Sequence, residues 1–344
     1  MAARKRSPQR INLALQGGGS HGAFTWGVLD ALLEDGRYKI EGISGTSAGA
    51  VNGAILTCGL AKGGRDGARQ LLEDLWVEIS RRSAFGPFQS DWLGRLTGSP
   101  NLDASPAYVA FDFMMRVASP YQFNPLNWNP LRDVLDKLVD IDCLCQSQLP
   151  RLYVSATNVA KGRLRVFAGN DITIDALLAS ACLPFLFQAV EIDGEEYWDG
   201  GYMGNPTLYP LIHACEARDV LVVQVNPIER DDVPRSGTAI MNRVNEISFN
   251  ATFMREARAL GLINRLLAEH QLADGQSGLK PMYLHMIGKE AEMGHFGASS
   301  KLNGDLGFLR ELFALGREAT AEWLATDAGH VGRKSTFEVA SLQA

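Results

Sequence analysis

Cysteine is scarce in this chain: five in 344 residues, at Cys58, Cys143, Cys145, Cys182 and Cys215. The spacing is too irregular for a disulfide framework. The lone Cys-x-Cys at 143–145 lacks a second ligand pair at zinc spacing, so reduced thiols and no metal are expected. Long apolar runs are also missing. None reaches the ~18 residues of a membrane helix; the nearest, Ala176 to Val190, is broken by Pro184 and Gln188. The basic start leads into INLALQGGGS, which has neither an export-type apolar segment nor a cleavage site, so the expected compartment is cytoplasmic. Positive charge is in short supply: 33 Lys and Arg against 39 Asp and Glu, net −6. Arg4, Lys5, Arg6 and Arg10 sit in residues 1–10, expected as a disordered basic tail. That leaves 29 positive against 39 negative side chains, or −10, over residues 11–344. Such an acidic body excludes a nucleic-acid groove and gives no broad basic face for anionic membranes. With 46% hydrophobic and 21% charged residues, disordered and fibrous classes are excluded too.

What the chain does have is glycine, 35 residues, clustered just after short apolar runs. Ile11–Gln16 reads as a buried strand stopped by three glycines, and residues 20–35 follow with helical spacing of Phe24, Val28, Ala31 and Leu32. Lys39–Ser44 reads as a second strand, again ended by a glycine turn and followed by a small-residue helix. Strand, glycine turn and helix, twice over, predict a parallel sheet with crossover helices. Further strands are expected at 152–156, 164–167, 190–192 and 220–225, and helices at 66–82, 131–139, 174–182, 238–270 and 305–325.

Three short stretches carry chemistry. Gly17-Gly18-Gly19-Ser20-His21-Gly22 matches the G-x-G-x-x-G dinucleotide fingerprint, and Glu41 lies about twenty residues on, so a nicotinamide or flavin oxidoreductase is a remote alternative. In that fold, however, the acid ends the second strand, whereas Glu41 lies at its start or middle. A glycine turn at a helix N-terminus offers free N–H groups to any anion, including the oxyanion of acyl transfer. The second strand ends instead in Gly45-Thr46-Ser47-Ala48-Gly49, a G-x-S-x-G pattern whose sharp strand-to-helix turn exposes a nucleophilic serine. The third stretch, Trp198-Asp199-Gly200-Gly201, reads as a β-turn in isolation and as a candidate base once a nucleophile is present.

In this order, GGGSHG, GTSAG and DGG resemble the patatin-like phospholipase family, as does Ala179-Ser180-Ala181-Cys182-Leu183-Pro184 upstream of the acid. The resemblance runs from residue 11 to about 227. It implies a three-layer α/β/α fold with a mainly parallel central sheet, and a Ser–Asp dyad without histidine. Carried over by position, Ser47 is the nucleophile and Asp199 the base. Gly17, Gly18, Gly19 and Gly22 form the oxyanion loop, and Gly45, Gly49, Gly200 and Gly201 support the turns. His21 stands where the family more often has arginine or lysine. The implied activity is hydrolysis of lipid carboxylic esters, with no cofactor; a polyester or general carboxylester hydrolase on the same dyad is the alternative. A triad with His213, His270, His285, His295 or His330 is disfavoured, because Ser47 follows only the second strand. An aspartate of pKa ~3.9 is a weak base unless desolvated, and Tyr197, Trp198, Tyr202 and Met203 are suited to desolvate Asp199.

The expected organisation is therefore the tail, a catalytic domain over 11–230, and a mostly helical C-terminal extension over 231–344 packed on the core. Within the domain, residues 83–130 form a cap or lid insertion. Residues 85–128 hold nine aromatics where the chain's 8% gives about four. Trp92, Phe111 and Phe113 are the candidates to line an apolar cleft, and transient contact with a membrane surface is a secondary expectation.

Overall fold

The apolar run before the triglycine is strand β1 (Gln9–Leu15), which pairs in parallel with β2 (Tyr38–Thr46) across helix α1 (Gly22–Asp35). This computed structural model describes residues 8–83, 100–103, 105–230, 233–269 and 279–337. Gln9 and Arg10, expected in the tail, belong to the sheet because they continue the pairing opposite Tyr38 and Lys39. After β2 comes α2 (Ala48–Ser83), two helical runs that meet at Gly63–Gly64, where the backbone leaves helical geometry. The aromatic-rich stretch contributes α3 (Pro106–Val117) and is followed by α4 (Pro130–Leu138), each opened by a proline whose missing N–H costs nothing in the first turn. Then follow β3 (Arg151–Asn158), β4 (Arg163–Ala168), α5 (Ile174–Ser180), β5 (Val190–Ile192), β6 (Glu195–Asp199) and β7 (Asp219–Val223). Helix α6 (Gly237–Ala268), strand β8 (Tyr283–Ile287) and helix α7 (Leu306–Thr326) complete the list.

The sheet runs β5-β6-β3-β2-β1-β7-β8, with β4 also paired to β3. The five strands from β3 to β8 in that order are parallel; β4, β5 and β6 pair antiparallel. Alternation along the strands shows why helices must cover both faces. Leu13, Leu15, Val154, Leu221 and Val223 face one core with α1 and α2. Ala14, Tyr153, Val220 and Val222 face a second core that includes Phe253 and Leu260 of α6. The expected mixed α/β architecture with a mainly parallel central sheet is what the chain forms.

Strand β8 is not among the expected elements. The region beyond residue 230, expected as mostly helical, supplies β8 to the parallel sheet beside β7. A five-residue strand interrupted by His285 carries too little periodicity to stand out. Helix α7 also does more than extend the core. Any Cβ at Gly27 of α1 would collide with the Phe313 carbonyl, and any at Gly316 of α7 with the Phe24 carbonyl. The two helices thus cross backbone against backbone.

Candidate active site

The register of the sheet brings the three motifs together. Leu15, just before the glycine loop, pairs with Gly45; Thr46 pairs with Ser155; and Ala156 pairs with Asp199. Both glycine turns therefore leave the carboxyl ends of adjacent parallel strands, the usual place for a ligand in such a sheet. Asp199 arrives from the antiparallel β6, a strand the sequence reading missed.

Ser47 has φ 54°, a left-handed backbone that a non-glycine residue adopts at a cost of about 1 kcal/mol or more. The surroundings hold it there. Its N–H donates to Ser180 Oγ at 2.8 Å, and Thr46 Oγ1 donates to the Gly204 carbonyl at 2.7 Å. Any Cβ at Gly17 would sit 2.7 Å from Ser47 Cβ and from the Thr46 carbonyl oxygen, and one at Gly49 would collide with the Leu15 carbonyl. Glycine at these two positions lets the turns press together. Gly45 and Gly200 pack as closely, against Ala50 and Ser155.

The Asp199 carboxylate is buried, 3% exposed. Its Oδ1 accepts the Gly201 N–H at 2.7 Å. Burial pushes its pKa up to about 6; the Gly201 N–H, the Ser47 side chain and the charge of Lys301 oppose that rise in part.

Of the four loop glycines, two have their N–H groups engaged elsewhere. Gly17 donates to Asn205 Oδ1 at 2.6 Å, and Gly22 closes the first helical turn on the Gly19 and Ser20 carbonyls. Gly17, Gly18 and Gly19 line a cavity of about 580 Å³ with Ser47, Ala48 and Asp199; Gly22 does not. Glu41, the acid in the dinucleotide reading, accepts the N–H groups of Glu216 and Ala217 at 2.6 and 3.0 Å. It lies five residues before the strand's end and takes no part in the cavity, which removes the basis for the oxidoreductase alternative.

His21 is buried, with Nε2 2.7 Å from Ser300 Oγ and its ring against Phe296 and Phe308. Burial, with the charge of Lys301, holds its pKa well below the usual value, so it is neutral. Among the described histidines none lines the cavity. His213 and His295 are exposed, His330 is half-buried, and His285 bonds Asp219 and Thr336. His270 lies outside the described residues.

The rest of the cavity wall is apolar. Phe111 lines it as expected, but Phe113 does not: it is 64% exposed on the face of α3 shared with Val109 and Val117. The one-turn spacing places 109, 113 and 117 together and turns Phe111 the other way. Trp92 lies outside the described residues. The wall instead includes Phe123 and Trp128 from the aromatic stretch, Leu183 and Phe187 after α5, and Phe249 of α6.

Sequence reasoning missed several polar residues here. Gln16 Oε1 accepts the N–H groups of Val225 and Asn226, and Asn226 Nδ2 donates to the Gly17 carbonyl at 2.7 Å. Ser180 was visible inside the A-S-x-A segment, and Asn226 as a polar residue directly after a predicted strand. Lys301, which does line the cavity, had no signal at all.

Among the described residues no group of His, Cys, Asp and Glu has metal-site geometry, and no helix is long and apolar enough to cross a membrane.

Curated relatives include uncharacterised NTE family proteins of Mycobacterium bovis and Mycobacterium tuberculosis, each 26% identical over 250 residues. The match takes in 71% of this chain but 58% of theirs, so the chain spans less than two thirds of the relatives' length. Among solved structures, VipD from Legionella pneumophila aligns with 93% of this chain and 67% of its own, at 16% identity and TM-score 0.43. ExoU, in its complex with SpcU from Pseudomonas aeruginosa, aligns with 72% and 51%, at 21% identity and TM-score 0.32. The model of the patatin-like phospholipase family matches residues 13–212, more than half of the chain and all three motif turns. The chain belongs to the patatin-like phospholipase family.

Proposed function

We propose that the chain is a serine acyl hydrolase acting on lipid carboxylic esters, with Ser47 as nucleophile and Asp199 as general base. One observation carries this reading: a serine held in a left-handed turn shares a cavity with a buried carboxylate whose pKa is raised to about 6. At neutral pH that carboxylate is largely ionised, yet far more basic than an aspartate in water. The family match and the apolar wall support the lipid-ester part.

In this mechanism Ser47 Oγ attacks the ester carbonyl carbon while its proton passes to Asp199. Charge then develops on the carbonyl oxygen. Gly18 and Gly19 line the cavity and are the loop residues assigned to meet that oxygen with their N–H groups. Collapse of the intermediate breaks the carbon–oxygen bond to the alcohol, which takes the proton from Asp199. A water activated by the same carboxylate then attacks the acyl-serine, and Ser47 recovers its proton. Steady-state hydrolysis of decanoyl esters by wild type, Ser47→Ala and Asp199→Asn tests the reading. Both variants are expected to lose nearly all activity, and a retained rate in either one refutes the dyad.

A further inference from the structure

Glycine gives the loop before α1 a freedom that something must remove. The peptide between Gly17 and Gly18 turns about ψ of the first residue and φ of the second, and neither has a Cβ to oppose that turn. A peptide is planar and trans, so its carbonyl and its N–H point opposite ways. Whatever grips the Gly17 carbonyl therefore aims the Gly18 N–H.

The grip comes from Asn226, a fully buried residue just beyond β7. Its Nδ2 donates to the Gly17 carbonyl at 2.7 Å, while Asn205 Nδ2 reaches the same oxygen only at 3.4 Å. The Asn226 main chain is fixed too. Its N–H donates to Gln16 Oε1 at 3.0 Å, and its carbonyl accepts from Gln224 Nε2 at 3.1 Å. The trans peptide turns the Gly18 N–H away from Asn226, and of these two residues it is Gly18 that lines the cavity. Among the described residues neither the Gly18 nor the Gly19 N–H has a partner within the protein.

The Asn226 amide fits in one orientation only. Lys301 Nζ, which can only donate, stands 2.7 Å from Oδ1, and the Gly17 carbonyl, which can only accept, faces Nδ2. A turned amide would set oxygen against oxygen and ammonium against NH2. Lys301 is itself seated on the loop, its carbonyl so close to Gly19 that any Cβ there would collide with it. Both Asn226 and Lys301 lie beyond residue 212, where the family match ends. The chain thus braces its glycine loop with residues from outside the matched region.

We infer that Asn226, with its amide oriented by Lys301, is a positioning residue that locks the Gly17–Gly18 peptide so that the Gly18 N–H is presented to the oxyanion. The hold on the peptide is a property of the fold; its value for catalysis rests on the ester-hydrolase reading.

The test pairs crystal structures with kinetics for wild type, Asn226→Leu and Asn226→Asp. Leucine removes the donor at similar size, and aspartate still accepts from Lys301 but offers the Gly17 carbonyl no N–H. In both variants the Gly17–Gly18 peptide is expected to leave its wild-type direction. For p-nitrophenyl decanoate, kcat is expected to fall about a hundredfold, the scale of one lost oxyanion donor, with KM changed by no more than about threefold. Lys301→Met, which frees the amide without removing it, should lower kcat by about tenfold, and it carries the same two measurements if the Asn226 variants do not fold. A peptide that stays in place, or one that turns while kcat is unchanged, overturns the inference. If wild type hydrolyses no ester while the peptide turns in the variants, the dyad reading fails and the hold by Asn226 stands.

Discussion

Two parts of the cavity wall are built in different ways. The part with Ser47 and Asp199 is made of backbone: glycine turns pressed together until a single Cβ has no room, with polar side chains holding main-chain groups. The apolar arm is made of side chains borrowed from α2, the aromatic insertion, α4, the segment after α5, and α6. A backbone site tolerates almost no substitution, whereas a side-chain wall tolerates many and changes its preference as it changes. On the proposed reading, one part therefore sets the reaction and the other the substrate.

The largest effect expected at the backbone part is chemical. Ser47→Ala and Asp199→Asn should each lower kcat/KM for decanoyl esters by roughly 10³-fold or more while the far-ultraviolet spectrum is unchanged, since each removes one partner of a unit that acts together. If any histidine variant were equally inactive, a triad would replace the dyad. Next is packing. Gly49→Val is expected to unfold the chain or cost several kcal/mol, because its side chain meets the Leu15 carbonyl and the adjoining strand cannot retreat. Chemical denaturation reads this directly, and a midpoint like that of wild type would mean the turns are not clamped.

The pH dependence follows from Asp199. Activity should rise with pH through about 6, as the carboxylate becomes the base. Stability runs the opposite way. A folded pKa raised above the unfolded ~3.9 gives a contribution present in full below about pH 4 and lost as the pH rises through 6. The rise from ~3.9 to about 6 corresponds to about 3 kcal/mol. Asp199→Asn should therefore stabilise the fold by up to that amount at pH 8 relative to its effect at pH 4, as read by denaturant melts at both. Equal effects at the two pH values would show that the carboxylate is not desolvated.

The smallest effects belong to the apolar arm. Each methylene removed from water is worth ~0.8 kcal/mol, so kcat/KM should climb about fourfold per methylene from acetate toward decanoate until the arm is filled. Phe123→Ala and Phe111→Ala should flatten that climb. Phe113→Ala should not, because that ring faces solvent. A slope equally flattened at Phe113 would undo the distinction between the two faces of α3.

This division also explains what could be read in the sequence. Gly17, Gly45, Ser47, Gly49 and Asp199 are contiguous with their own turns, so short motifs reveal them, and the alternation of β1 and β2 reveals the sheet around them. Asn205 and Lys301 reach the same cavity from distant segments, as Asn226 reaches the Gly17 carbonyl beside it, and spacing along the chain says nothing of where they meet. Strand β6, which delivers Asp199, and β8 are too short to show a period. Aromatic density marked the stretch that supplies Phe111, Phe123 and Trp128, but only the rotation of α3 separates Phe111 from Phe113.

The central assignment is tested most directly by a fluorophosphonate probe, which forms a covalent bond only with an activated serine, followed by intact mass. Wild type is expected to gain one adduct within minutes at pH 8, Ser47→Ala none, and Asp199→Asn an adduct only over hours. An adduct on Ser47→Ala, or a wild type that stays unlabelled, would contradict Ser47 as the nucleophile.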